Sequence, residues 1–158
     1  MTDIAVEALE LIGREKVRSY EVTHRDIKRF AQAIDDPNPK FRRDESDIGA
    51  GHQSVVAPPL FCQMFAFEDA EIEELLPDGS PVEINIPLPA KKTVGGSSVF
   101  EVFGYIKPGD RITVRSKIVD IYKKEGRSGT LYFISVEMSF YNQDNRIVSK
   151  ETATYIKK

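Results

Sequence analysis

An apolar stretch in the first half of the chain sets the strongest requirement on its fold. Residues 58–67 read Pro-Pro-Leu-Phe-Cys-Gln-Met-Phe-Ala-Phe, and Gln63 is the only polar member. Proline is tolerated at the first position of a helix, because the N–H that it lacks has no helical partner there. We therefore predict a helix that begins at Pro58-Pro59. Since this helix is apolar nearly all round, other elements must surround it.

The second half of the chain has the spacing of an antiparallel sheet. Strands are predicted at residues 98–106, 111–122, 130–141 and 146–156, separated by turn sequences of hairpin length. Apolar residues alternate along 132–140, as on one face of a long, half-buried strand. Between Val114 and Val119 the apolar side chains change from even-numbered to odd-numbered positions, which predicts a β-bulge near Ile118.

A second helix is predicted ahead of the apolar stretch. A short amphipathic segment before Gly13 and a strand at 17–22 precede it. Thr23 and Asp26 have the spacing of a capping box, and an apolar stripe from Ile27 to Ile34 follows. The helix must end in the segment Asp-Asp-Pro-Asn-Pro at 35–39, because each proline disfavours helix in the residue before it.

These elements predict an α+β chain in which an antiparallel sheet wraps around one central buried helix, the hot-dog fold. The alternative is an open sheet with helices on one side, which would leave part of the surface of Phe61, Phe65 and Phe67 exposed to solvent. The 158 residues contain no internal repeat and no linker-like tract, so residues 1–158 are expected to form a single domain.

Charge and cysteine content narrow the possible functions. The chain has 22 basic and 25 acidic residues and no polybasic run, which makes nucleic acid and anionic membranes poor partners. Its longest apolar run, 55–62, is far shorter than the ~20 residues needed to span a bilayer. The first residues lack the pattern of a secretory signal, and the single Cys62 excludes an intrachain disulfide, so we expect a cytoplasmic protein. One Cys and two His cannot complete the usual zinc site, so no metal is expected.

Two motifs in a fixed order resemble the MaoC-like dehydratases, especially the N-terminal half of their two-part members. Phe-Ala-x-Ala-Ile-Asp-Asp-Pro-Asn-Pro ends the second helix at 30–39, and Val-Ala-Pro-Pro-x-Phe follows at 56–61. A Gly-Gly-Ser at 95–97 and a Pro-Gly-Asp turn at 108–110 extend the likeness over most of the chain. The resemblance implies a hot-dog fold that binds acyl thioesters of coenzyme A or acyl carrier protein. It also implies reversible hydration of a trans-2-enoyl thioester to the (3R)-hydroxy form, without a cofactor.

The chain departs from this family at one position. The family's Asp-x-Asn-Pro-x-His segment supplies an Asp and a His that together activate water. Asp36 and Asn38 occupy the motif positions here, but Phe41 stands where the histidine would be. A phenyl ring cannot exchange a proton, so the acid–base pair is incomplete. The resemblance therefore implies a homo- or heterodimer with a hot-dog partner that carries the catalytic His.

Other candidate site residues follow from the resemblance and from the residues themselves. Substrate contacts are expected from Phe41, Ala57, Leu60, Phe61 and Phe65. Asp36 and Asn38 either keep a catalytic role or simply form an Asx-type turn. His52 lies in a Gly-flanked loop and is a candidate substitute base, whereas His24 is expected to be solvent-exposed. Cys62 is expected to be buried and inert.

Three functions remain open at the level of sequence. The first is a subunit of a (3R)-specific enoyl-CoA hydratase or (3R)-hydroxyacyl-thioester dehydratase whose partner supplies the histidine. The second is a non-catalytic protein that binds acyl-CoA or acyl carrier protein. The third is a thioesterase, which would require an Asp or Glu on the buried helix, and residues 58–67 contain none.

Overall fold

The fold is seen in a computed structural model that describes residues 4–43, 54–66, 73, 75, 86–127 and 129–158. Its helices are α1 (Val6–Leu9), α2 (His24–Ala33), α3 (Pro39–Arg42) and a 3-10 helix (Phe61–Phe65). Its strands are β1 (Glu15–Glu21), β2 (Thr93–Val102), β3 (Arg111–Gly126), β4 (Gly129–Tyr141) and β5 (Ile147–Lys157). None of the helices in these ranges is long and apolar enough to cross a bilayer.

The five strands among the described residues form one antiparallel sheet in the order β1-β3-β4-β5-β2, so β1 and β2 are the two edges of the described sheet. The register of β3 against β4 shifts between Ile118 and Asp120, which confirms the predicted bulge. Along β4, Tyr132, Ile134, Met138 and Phe140 are buried, as their alternation predicted. One face of the sheet therefore carries a continuous apolar surface.

The apolar stretch packs on that surface, as the hot-dog fold requires. Phe61 and Cys62 are almost completely buried and belong to one core cluster with Ile112, Val114 and Phe140 of the sheet. This confirms the α+β hot-dog fold and the central position of the segment that contains Phe61.

The start and the type of the central helix differ from the prediction. Pro59 and Leu60 form a turn in which the Phe61 N–H donates to the Pro58 carbonyl at 3.0 Å, so the helix begins at Phe61. The described part is a 3-10 helix, which is tighter than the predicted α-helix. Phe67, the end of the predicted apolar segment, lies outside the described residues.

Strand β2 was predicted too late in the chain, and its glycines explain the error. It begins at Thr93 and includes Gly95 and Gly96, residues that weaken a sequence-based strand prediction. A Cβ on Gly96 would lie only 2.8 Å from the Thr154 carbonyl oxygen of β5, so the close approach of the two strands requires a glycine there. The strand ends at Val102, and residues 103–106 leave the sheet.

The capping box of α2 is confirmed. The Thr23 hydroxyl accepts from the Asp26 N–H at 3.2 Å, and the Asp26 carboxylate accepts from the Thr23 N–H at 2.9 Å. These two hydrogen bonds satisfy N–H groups that a helix start leaves unpaired. Helix α2 therefore begins where the sequence predicted, and it ends within the first motif.

Candidate functional site

The first motif forms a loop that is shaped by its own side chains. After α2, Asp35 adopts a left-handed backbone conformation with φ 53°. Asp36 Oδ1 accepts from the Asn38 N–H at 2.9 Å, and Asn38 Oδ1 accepts from the Lys40 N–H at 3.1 Å. Pro39 then begins α3, with Asn38 as its cap. Asp36 and Asn38 thus form consecutive Asx-type turns.

Phe41 lies on the single turn of α3 and is buried, with 9% of its surface exposed. It borders a cavity of about 310 Å³. The lining residues are Asn38, Lys40, Phe41, Ser54, Val56, Ala57, Pro59 and Tyr105. The residue at the motif's histidine position therefore faces an open volume of ligand size.

Backbone hydrogen bonds bring the two motifs to this cavity. The Val56 N–H donates to the Lys40 carbonyl at 3.1 Å, which ties the second motif to α3. The Ala57 N–H donates to the Ile106 carbonyl at 2.8 Å, which ties the same segment to the chain that follows β2. The segment at 54–58, which carries the start of the second motif, is therefore held by the first motif on one side and by the chain after β2 on the other.

A smaller cavity of about 30 Å³ adjoins the first and reaches into the core. It shares Ala57, Pro59 and Tyr105 with the larger cavity and extends to Cys62 and Ser149. This volume is large enough for a water molecule.

The thiol in this smaller cavity is unsuited to nucleophilic chemistry. The pKa of Cys62 is raised to about 12, mainly by burial; a hydrogen bond with Ser149 lowers it in part, and the negative charge of Glu151 adds a smaller increase. The thiolate is the reactive form of cysteine, so this side chain stays inert at neutral pH.

Three of the five predicted acyl-contact residues lie away from the larger cavity. Phe61 packs edge-to-face against Phe30 and Phe65, with ring centroids 5.6 Å and 5.3 Å away, and Phe65 stacks on Tyr20 at 4.9 Å. Leu60 is half exposed at the turn before the 3-10 helix. Phe41 and Ala57 are the two that border the cavity.

The structure tests the prediction for one of the two histidines, His24, and leaves that for His52 untested. His24 was expected to be exposed, and this is wrong: it is half-buried, with Nε2 2.5 Å from the Arg43 carbonyl oxygen. The ring links the start of α2 to the end of α3, which a capping position alone does not reveal. His52 lies outside the described residues, so its candidate role as a base stays a prediction.

Sequence reasoning missed the polar residues of the cavity wall. Lys40, Ser54 and Tyr105 line it beside the motif residues. Nothing in the sequence marked Tyr105, because the predicted strand at 98–106 included it, whereas the observed strand ends before it. In the described part of the chain, no three His, Cys, Asp or Glu side chains gather closely enough to hold a metal ion.

The fold and the site define a class: a hot-dog protein similar to the MaoC-like dehydratases and (3R)-hydratases. Residues 10–151 match the model of the family described as FAS1-like, dehydratase domain region. The chain belongs to this family. It is also 33% identical, over 119 residues, to a UPF0336 protein of Thermobifida fusca, and the match covers 74% of each chain.

Solved structures with low sequence identity share the fold. A chain of the ChsH1-ChsH2 complex from Mycobacterium tuberculosis superposes with a TM-score of 0.70 and 20% identity, covering 96% of this chain and 88% of that one. A chain of the C-terminally truncated HadBC (3R-hydroxyacyl-ACP dehydratase) complex, also from M. tuberculosis, gives 0.63 and 18%, covering 90% and 96%. A MaoC-like dehydratase gives 0.70 and 18%, covering 95% of this chain but only 43% of that protein.

Proposed function

We propose that this chain is the acyl-thioester-binding subunit of a (3R)-specific enoyl-CoA hydratase or (3R)-hydroxyacyl-thioester dehydratase, and that it acts in the cytoplasm as one hot-dog domain. One observation carries the proposal. The residue at the motif's histidine position, Phe41, is buried and borders the cavity at which both family motifs meet. On this proposal the chain has the loop and cavity of the site and lacks one of its two reacting groups.

The cavity wall suits a ligand with an apolar body and a polar end. Phe41, Val56 and Ala57 offer apolar surface, and Ser54 and Tyr105 offer hydroxyl groups beside it. Small-molecule sites typically combine apolar walls with a few polar groups that fix the orientation of the ligand. An acyl chain with a thioester carbonyl has this character.

The missing proton-transfer group is assigned to a partner chain. Hydration of an enoyl thioester requires activation of water and protonation of the α-carbon, and a phenyl ring does neither. Two of the structural neighbours, ChsH1-ChsH2 and HadBC, are complexes of two different chains, and a third is more than twice the length of this one. These neighbours support a partner hot-dog unit that carries Asp-x-Asn-Pro-x-His.

The test is reconstitution with a MaoC-like chain that carries this motif and is encoded beside the gene. We expect only trace hydration of crotonyl-CoA by the chain alone, and a rate at least about 10²-fold higher for the pair, the lower end of what an acid–base group contributes. The partner with its motif histidine replaced by alanine is the control and should return the rate to the trace level. Robust turnover by this chain alone, abolished by His52→Ala, would contradict the proposal.

A non-catalytic acyl-thioester-binding protein is the second candidate, and the Asx-type turns favour it. One carboxylate oxygen of Asp36 and the amide oxygen of Asn38 already accept backbone hydrogen bonds. Binding of acyl-CoA without turnover in any reconstituted pair would support this candidate. A thioesterase has less support, because none of the described cavity-lining residues is Asp or Glu.

A further inference from the structure

The two edges of the sheet differ in charge. Strand β1 carries four charged residues among seven, Glu15, Lys16, Arg18 and Glu21. Strand β2 has ten residues and only one charge, Glu101. Charged side chains on an edge strand oppose pairing with another strand, whereas a long edge without them invites it. Strand β2 is therefore the edge that is suited to receive a partner strand.

Exposed apolar side chains accompany this edge. Val99 of β2 is 63% exposed, and Val102 and Phe103 are about half exposed. Leu60 and Met64, at the 3-10 helix, are exposed to a similar degree. Apolar side chains that cluster along an unpaired edge are typical of a protein interface.

A buried carboxylate connects these two exposed segments. Glu151 of β5 is only 4% exposed, and its Oε2 accepts from Gln63 Nε2 of the 3-10 helix at 2.7 Å. Its Oε1 accepts from the Ser98 hydroxyl of β2 at 2.5 Å. The carboxylate thus lies directly behind the exposed edge strand.

Both donors to this carboxylate are neutral. Among the residues that the structure describes, no Lys, Arg or His forms an ion pair with Glu151. A buried carboxylate is costly unless a cation or several hydrogen bonds compensate for the lost water. Two neutral donors stabilise the Glu151 carboxylate and no cation of the described residues balances its charge, so the Ser98–Glu151 pair places a negative charge directly behind β2.

Symmetry makes this charge unfavourable for self-pairing. Two copies that join through β2 about a two-fold axis pair that strand with itself in antiparallel orientation. Ser98 is near the middle of β2, so an axis through the strand centre brings the two Ser98–Glu151 pairs close together. Like charges that face each other across an interface suppress that pairing, and an opposite charge favours a different partner.

We propose that Glu151 selects the partner at β2: it disfavours pairing of two identical copies and favours a different hot-dog chain whose edge strand brings a Lys or Arg to the Ser98–Glu151 pair. The inference rests on the proposed function in taking the occupant to be a second hot-dog subunit. A second copy of this chain is the alternative occupant, which the experiment excludes or establishes.

The first measurement is self-association of the full chain alone, by sedimentation equilibrium at neutral pH and fixed salt. Glu151→Gln keeps the shape of the side chain and removes the charge, and we expect it to tighten the self-association Kd at least tenfold. Glu151→Met removes the same charge with an apolar side chain, and it decides the question if the glutamine variant does not fold. Glu137→Gln is the matched control, because Glu137 lies on β4, where it pairs with Lys117 and Lys150, and its loss should leave the Kd unchanged.

The second measurement locates the effect on β2. Adding Val99→Lys to Glu151→Gln places a charge on the edge strand and should return self-association to the wild-type value. In the reconstituted pair, Glu151→Gln should weaken the heterodimer at least tenfold. Self-association that is equal in the wild type and in both Glu151 variants, or that persists with Val99→Lys, would overturn the inference. The self-association arm uses neither substrate nor partner, so its result is independent of the hydration assay.

Discussion

At the scale of single residues, the proposed separation of binding from catalysis rests on Phe41. Its ring lies on α3 and borders the cavity, and the neighbouring Asp36 uses Oδ1 to accept the Asn38 N–H. The carboxylate retains its second oxygen for another partner. A side chain at position 41 therefore has access to the cavity, while its approach to Asp36 depends on the shape of the loop.

We expect Phe41→His to produce weak hydration activity in the chain alone. The gain should remain well below the roughly 10²- to 10⁴-fold that a well-placed acid–base group supplies, because a pocket built around a phenyl ring does not orient an imidazole. Hydration of crotonyl-CoA, with folding confirmed by circular dichroism, is the measurement. Phe41→His/Asp36→Asn is the control and should lose the gain. A well-folded Phe41→His protein with no gain would mean that Asp36 is only a turn-forming residue.

At the scale of elements, the pairing of β2 with β5 depends on a single glycine. Gly96→Ala should destabilise the protein by about 1–3 kcal/mol, the usual cost of forcing extra volume into a packed contact, because its Cβ would meet the Thr154 carbonyl at 2.8 Å. Gly95→Ala is a close control, since nothing lies within 4 Å of a Cβ there. Urea denaturation measures both free energies of unfolding. Equal values for the two variants would contradict the close approach of the strands.

A charge cluster across β3, β4 and β5 should make stability depend on pH. Glu137 lies 3.2 Å from Lys117 Nζ and 2.9 Å from Lys150 Nζ, and the hydrogen bond with Lys150 is the main cause that lowers the pKa of its carboxyl. A carboxyl whose pKa is lower in the folded state stabilises the protein above its unfolded pKa, and this contribution is lost as the pH falls through the folded pKa.

Glu137→Gln should therefore unfold at lower urea than the wild type at pH 7, and the difference should shrink as the pH is lowered past the normal range of a glutamate. Urea midpoints of both proteins across this range are the measurement. Glu125→Gln, at an exposed site near the β3–β4 turn, controls for the loss of one charge. A difference that stays constant with pH would contradict the assignment.

Elements in which apolar residues recur at a regular spacing were predictable from the sequence, whereas elements that depend on tertiary contacts were not. The capping box predicted the start of helix α2, and the alternation of apolar residues predicted strand β4, so local pattern and fold agree for these two elements. The central segment was correctly predicted to be buried, but its 3-10 geometry follows the Pro59–Leu60 turn and its packing on the sheet. Strand β2 exists because β5 pairs with it, and glycine propensity alone argues against it.

At the scale of the whole molecule, the candidate site is assembled from three separated parts of the chain. Sequence likeness marked the first two, through Asn38 and Ala57, because their motifs are short and contiguous. The third, at Tyr105, is connected to the second by the hydrogen bond between Ala57 and Ile106. A contact of this kind depends on the path of the chain after β2, which no local pattern encodes.

Filling the cavity should block ligand binding without removing the fold. Ala57 borders both cavities, so Ala57→Leu adds volume where the motifs meet, and we expect at least a tenfold loss of affinity for a long-chain acyl-CoA. Isothermal titration calorimetry with the isolated chain is the measurement. Leu60→Ala, which changes an exposed side chain outside the cavity, is the control and should bind as the wild type does. Unchanged affinity in folded Ala57→Leu would place the ligand elsewhere.

The consecutive turns made by Asp36 and Asn38 have a consequence for how such sequences are classified in genomes. Each side chain accepts a hydrogen bond from the backbone N–H two residues ahead, so the loop is held by its own hydrogen bonds and forms without a histidine at position 41. The two turns are therefore a sufficient structural reason for Asp36 and Asn38 to stand in this loop, with or without a catalytic role. The Asp-x-Asn-Pro segment alone therefore does not indicate an enzymatic activity, and the residue at position 41 is the one to inspect before an activity is assigned.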